Sequence, residues 1–430
     1  MKTHRPLSRF TKLVFCVIAF VWSLSANGEP FAYIPNGGDS TVSVVDTATN
    51  TVVDTVAVGS LPFGIAVRPD GGTVYVTNDT SGTVSVIDSA TNTVVDTVAV
   101  GSRPLGVAVH PDGGTVYVGN RNSDTVSVID TATNTVVATV PVGVNPYGVA
   151  VHPDGSIVYV ANISSNSVSV IDTATNTVVD TVTVGLHPYG VVVHPDGSTV
   201  YVANQLDNDV SVIDTTTNTV VDTVIVGVRP QGIAVHPDGS AVYVVNYDSN
   251  TVLVIDTTTN TVVNTWAVGS ESLGVAAHPG GRTVYVVSNA SGTVSVIDTV
   301  TNTLVATVEV GDAPWGFGQF IGPLPSLTIS PASGTYVTTQ GFDLTLIAKS
   351  VTLSVTGGTA TLDDVDISAS LGSCVVHGTL NSGGQTFRCP NLTGDFLGEG
   401  THTLEVTLDL SDGSSVTDSV TWEVVGNTEP

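Results

Sequence analysis

A 42-residue period that never slips, short strands rich in Val, Thr and Ile, and one repeat unit split between the ends of the array predict an all-β fold. The expected architecture is a seven-bladed β-propeller followed by an antiparallel β-sandwich. A glycine marks the period at positions 64, 106, 148, 190, 232, 274 and 316. The tyrosine of "YVAN" keeps the same step from Tyr33 to Tyr285, and the aspartate closing "SVID" keeps it from Asp46 to Asp298. Within a unit, "GVVV", "TVYVAN", "SVSVID" and "TVVDTVTV" read as four strands without internal proline. "HPDG" has the residue order of a type I turn and joins the first two, and "DTATNT" turns the third into the fourth. The array opens on "FAYIPN", a second strand without its first, and ends on "APWGFGQF", a first strand without the rest. Residues 314–320 are therefore expected to complete the blade begun by residues 31–60, closing a ring that has no free edge at its seam.

In chain order, residues 1–28 pair the bases Lys2, Arg5, Arg9 and Lys12 with an apolar run to Leu24 and the small residues of "SANG", the layout of a secretory signal peptide. The propeller is expected over 29–321, a linker over 322–326, the sandwich over 327–426 and a tail over 427–430. Four of the 11 basic residues and none of the 38 acidic ones lie in 1–28. The exported chain thus has seven bases against 38 acids, a net charge of −31. Nucleic acid and anionic membranes repel such a chain, so neither is an expected partner, and no membrane insertion is expected once the signal is cleaved. The expected address is the periplasm, the cell surface or the extracellular medium. Cys374 and Cys389, the pair left after export, are expected to form a disulfide around a short loop.

Sixteen acids fall in recurring slots: seven close the third strand, five sit in the "PDG" turn and four in "VVD". They read as solvated turn residues. The stretches "NQLDNDV" and "LDDVD" lack the glycine and spacing of a calcium loop, so no metal site is expected. No cofactor is expected either, given one methionine and no "CxxCH".

Repeats of the form "PYGVVVHPDGSTVYVANQLDNDVSVIDTTTNTVVDTVIVG" resemble those of the YVTN-family β-propellers, over about two thirds of the chain. The resemblance implies an exported or cell-surface protein. Propellers of this kind include adhesin-like proteins, lactonases, a lyase of cyclic peptide antibiotics and quinoprotein-like enzymes. The sandwich segment resembles the immunoglobulin-like modules of bacterial surface proteins, although Trp422 follows both cysteines rather than lying between them.

Function is sought where the repeat is least regular. The column holding His110, His152, His194, His236 and His278 is periodic and reads as turn support rather than as a metal ring. The column before the proline is irregular: Leu61, Arg103, Asn145, His187, Arg229, Glu271 and Ala313. So is the one two residues on: Phe63, Leu105, Tyr147, Tyr189, Gln231, Leu273 and Trp315. Fourth-to-first and second-to-third connections emerge on one face, which adds Arg121, Tyr247 and Asp248 farther out. The expected ligand site is Phe63, Arg103, Asn145, Tyr147, His187, Tyr189, Arg229, Gln231, Glu271 and Trp315, a surface for a glycan, a peptide or a small anionic ligand. No catalytic set with mutual orientation is legible there, so binding is the leading expectation. A lactonase- or lyase-like enzyme using the same face is the alternative.

Overall fold

The computed structural model describes residues 30–323 without a break and, beyond them, nine strands between Ser326 and Val425. β1 (Phe31–Asn36), β2 (Thr41–Asp46) and β3 (Thr51–Ala57) form a three-stranded sheet. β4 (Pro62–Val67), β5 (Thr73–Asn78), β6 (Thr83–Asp88) and β7 (Thr93–Ala99) form a four-stranded antiparallel blade. The same blade recurs as β8–β11 over 104–141, β12–β15 over 146–183, β16–β19 over 188–225, β20–β23 over 230–267 and β24–β27 over 272–309. Residues 314–321 lie along β1 and complete its sheet. The Tyr33 N–H donates to Phe320 O at 2.8 Å and the Trp315 N–H to Pro35 O at 2.9 Å, while bridges pair Ala32 with Ile321 and Asn36 with Pro314. Seven blades close into a ring, and the seam lies where the split unit placed it.

The core sits between blades. Tyr117, Val126, Val128 and Val140 of one blade pack against Val158, Val160 and Ile171 of the next, and each such side chain taken from water stabilises by ~1.5–3 kcal/mol. The periodic glycine makes this packing reach the axis. A Cβ on Gly106 would collide with the Tyr147 carbonyl of the neighbouring inner strand, and Gly64, Gly148, Gly190, Gly232 and Gly274 meet their neighbours in the same way.

The periodic histidine also spans two blades. Nε2 of His110, His152, His194 and His236 bonds the carbonyl of Gly155, Gly197, Gly239 and Gly281 in the next blade's turn, at 2.8–2.9 Å, and Arg68 Nε donates likewise to Gly113 O. The other ring nitrogen faces the turn's own aspartate, with His194 Nδ1 2.7 Å from Asp196 Oδ1. Asp196 is held down at about 2, first by the Ser198 N–H and hydroxyl and then by His194. The sequence reading of this column as turn support thus becomes more specific, since each of these four histidines ties its own turn to the next one.

Beyond the propeller, β28 (Ser326–Ser330), β30 (Phe342–Lys349), β34 (Gln385–Leu392) and β33 (Val375–Thr379) pair antiparallel in that order. β29 (Tyr336–Val337), β36 (Ser415–Val425), β35 (Gly400–Leu410), β31 (Val355–Leu362) and β32 (Val365–Asp366) form a second sheet, with only β29 parallel to its neighbour. The expected signal segment, the tail and Cys374 lie outside the described residues, and so does the expected disulfide.

Candidate functional site

The irregular columns stand on a regular backbone. Leu61, Arg103, Asn145, His187, Arg229, Glu271 and Ala313 all adopt the left-handed conformation, with φ between 46° and 57°. For a residue with a Cβ this costs about 1–2 kcal/mol. A repeated hydrogen bond fixes it: the Asp79 N–H donates to Leu61 O, and Arg121, Ile163, Gln205, Tyr247 and Asn289 donate in the same way to Arg103, Asn145, His187, Arg229 and Glu271. The corner is therefore one shape filled with seven different side chains.

Just after the corner each inner strand slips register against its neighbour, between Pro62 and Ile65 in the first full blade and at the equivalent points of the others. A bulge of this kind re-aims a side chain. Here it gathers the second irregular column. Phe63 lies 4.7 Å from Trp315 and edge-on to Tyr147 at 5.4 Å. Tyr147 lies 4.3 Å from Tyr189, and Phe317 contacts both Phe63 and Tyr147 at 5.8 and 5.2 Å. Leu105 and Ile163 fill out the cluster. Beneath it a cavity of about 30 Å³, room for a water or two, is lined by inner-strand glycines with Val107, Val149, Val191, Ile233, Val275 and Phe317.

Part of the expected surface is closed over. Phe63, Tyr147 and Gln231 are buried and Tyr189 and Trp315 half-buried, and the four aromatic side chains among them plug the mouth of the central channel rather than surround it. The cause is apolar contact across the axis, which outweighs leaving large rings in water. Burial also drives the Tyr147 phenol well above its ordinary range.

Around the plug lies a polar ring built between blades. Arg103 grips the buried Asp79 with two hydrogen bonds, Nε to Oδ1 at 2.8 Å and Nη2 to Oδ2 at 2.6 Å. Arg229 stacks over Tyr247 at 5.1 Å and reaches Asp248 at 3.4 Å. The Tyr247 phenol is raised by burial and by its hydrogen bond to Glu271. Asn145 Nδ2 donates to Ser164 Oγ at 2.7 Å. His187 is fixed by its backbone N–H, which donates to Asn166 Oδ1 at 3.0 Å, and among the described residues no hydrogen bond involves its imidazole. Among the described residues three donor atoms on this face are sealed from water without an acceptor: Trp315 Nε1, Arg121 Nε and Gln205 Nε2.

The two expected columns thus converge, one as floor and one as surround. Missed in the sequence were Asp79, Ile163, Gln205 and Phe317. The first three belong to a third irregular column, 37, 79, 121, 163, 205, 247 and 289, of which only Arg121 and Tyr247 stand out in the sequence. Its variability was the available signal. Among the described residues no cluster of three His, Cys, Asp or Glu side chains is placed to hold a metal ion.

The chain matches the family model described as "Lactonase, 7-bladed beta-propeller" over residues 65–184 and 177–266. No curated protein matches it. Among solved structures, a chain of Kuenenia stuttgartiensis hydrazine synthase is 24% identical, with 65% of this chain and 99% of that one aligned at a TM-score of 0.57. A functionally unknown protein from Desulfotomaculum acetoxidans DSM 771 is 20% identical, with 67% and 99% aligned at 0.58. At these identities the likeness is one of fold.

Proposed function

We propose that this seven-bladed propeller is an exported recognition module that binds a glycan, a peptide or a small anionic ligand on the plugged face. The observation that carries the reading is the trio of buried donors without acceptors, Trp315 Nε1, Arg121 Nε and Gln205 Nε2, on the one face whose side chains vary over an invariant backbone. An unsatisfied buried donor costs about 1–3 kcal/mol, a cost that a ligand supplying acceptors removes. The signal-like segment and the YVTN-like repeats support export and a surface or periplasmic address. The strands after residue 325 suit an Ig-like spacer.

A lactonase-like hydrolase is the second reading, favoured by the family-model match. On this face His187 has an imidazole without a hydrogen-bond partner among the described residues and would serve as its base, whereas Glu271 already accepts from Tyr247.

One experiment separates the two: a panel of glycans, peptides and lactones offered to the full chain, scored for binding and then for turnover. Binding without turnover, weakened by ~1–2 kcal/mol in Trp315→Ala, is the expected result. Lactone turnover abolished in His187→Ala establishes the hydrolase instead.

A further inference from the structure

The surround of the plug is lopsided in two ways that coincide. The residue before each left-handed corner is Ser60, Ser102, Val144, Leu186, Val228, Ser270 or Asp312. Val144, Leu186 and Val228, in three successive connections, are 46–50% exposed, whereas the other four positions are polar. Leu206, 51% exposed, joins them, its N–H donating to Leu186 O at 3.2 Å. An apolar arc therefore covers one sector of the face and stops on either side of it.

The second asymmetry is electrostatic. Arg68, Arg103, Arg229 and Arg282 are each paired with a carboxylate, on Asp70, Asp79, Asp248 and Asp298. Arg121 has no such partner among the described residues, and its Nε is buried without an acceptor. Its loop packs on the connection that carries Val144, where the Asn145 N–H donates to Asp124 Oδ1 at 2.8 Å and the Val142 N–H to Asp124 O at 3.0 Å. In so acidic a chain, a half-buried guanidinium with no carboxylate beside it is a missing half of a pair.

We infer that this sector binds an amphiphilic carboxylate, with its carboxylate on Arg121 and its apolar chain along Val144, Leu186, Leu206 and Val228. The inference rests on the recognition reading and names its ligand class. A single guanidinium fork matches a planar monoanion, whereas the surrounding acids disfavour a multiply charged one. A fatty carboxylate and the free carboxy-terminus of an apolar peptide share this chemistry.

The test measures binding to the full chain by calorimetry, with octanoate against octanol and acetyl-Val-Leu against its carboxamide. Each acid is expected to bind ~10- to 100-fold more tightly than its uncharged counterpart, and Arg121→Gln to abolish that difference. Leu186→Ser with Leu206→Ser should weaken octanoate and octanol alike. The tighter of the two acids identifies the source. Equal binding of acid and neutral probe overturns the inference, and that comparison needs no substituted protein. Binding of a glycan to the same face with neither acid bound overturns it while leaving the recognition reading intact. Absence of binding by the acids and by the whole panel removes both.

Discussion

Two histidines seven residues apart, His187 and His194, carry different duties. His194 bonds Gly239 O of the next blade and faces Asp196, so its ring is used up in structure. His187 shares the left-handed corner with a leucine, two arginines, an asparagine, a glutamate and an alanine, and among the described residues its ring makes no hydrogen bond. Replacing His194 by Ala should lower stability by ~1 kcal/mol, the worth of a net hydrogen bond, and leave ligand binding unchanged. His187→Ala should stay within ~0.5 kcal/mol of the parent. Urea unfolding of the two variants checks this, and an equal loss in both would dismiss the distinction. The periodicity of the His194 column was legible in the sequence as structural. That its partner lies 45 residues on was not, because the bond crosses between blades that the linear repeat does not order in space.

Elements differ in how much of themselves a sequence pattern exposes. The four strands per blade and both hairpin turns follow from local composition, because period-2 burial and Pro-Asp-Gly turns act within a few residues. The bulge after each corner does not. The periodic glycine falls inside it without announcing a slip of register, and the slip is what swings Phe63 and Tyr147 over the axis. The inner-strand glycines are the sequence trace of the same crowding. Gly106→Ala should destabilise by more than ~1–3 kcal/mol, since the new Cβ would meet a backbone carbonyl that cannot turn away. Gly119→Ala is the control, because its column already holds Ala161 and Ala203 and its nearest neighbour is a valine methyl. Thermal melts should separate the two variants. A Gly106→Ala protein that melts with the parent would mean that the inner strands are not in contact at the axis.

At the scale of the molecule, stability depends on the seam. Its cluster joins three blades: Ile34, Val44 and Val56 from the shared one, Ile65 and Ile87 on one side, and Tyr285, Val296 and Val308 on the other, with Phe320 and Ile321 fully buried among them. A ring has no end from which to fray, whereas an opened one unfolds blade by blade. Deleting residues 314–321 should broaden or abolish the single cooperative transition, and Phe320→Ala should cost ~3–5 kcal/mol while keeping the transition sharp. Calorimetry distinguishes these outcomes, and an unchanged melt after the deletion would refute closure by the chain ends.

The sequence by itself determined the blade count, the strands in each blade, the seam and the face on which side chains vary. All of these are repeats or interruptions of repeats, and a 42-residue step displays them directly. It did not determine what that face looks like. Whether Trp315 and Tyr147 ring an open mouth or fill it depends on distances across the axis between residues more than a hundred positions apart. The pairing of Arg103 with Asp79, and the lack of any such pair for Arg121 among the described residues, depend on contacts between neighbouring blades. Local pattern places a residue on a face, and only packing decides whether that residue meets another or waits for a ligand.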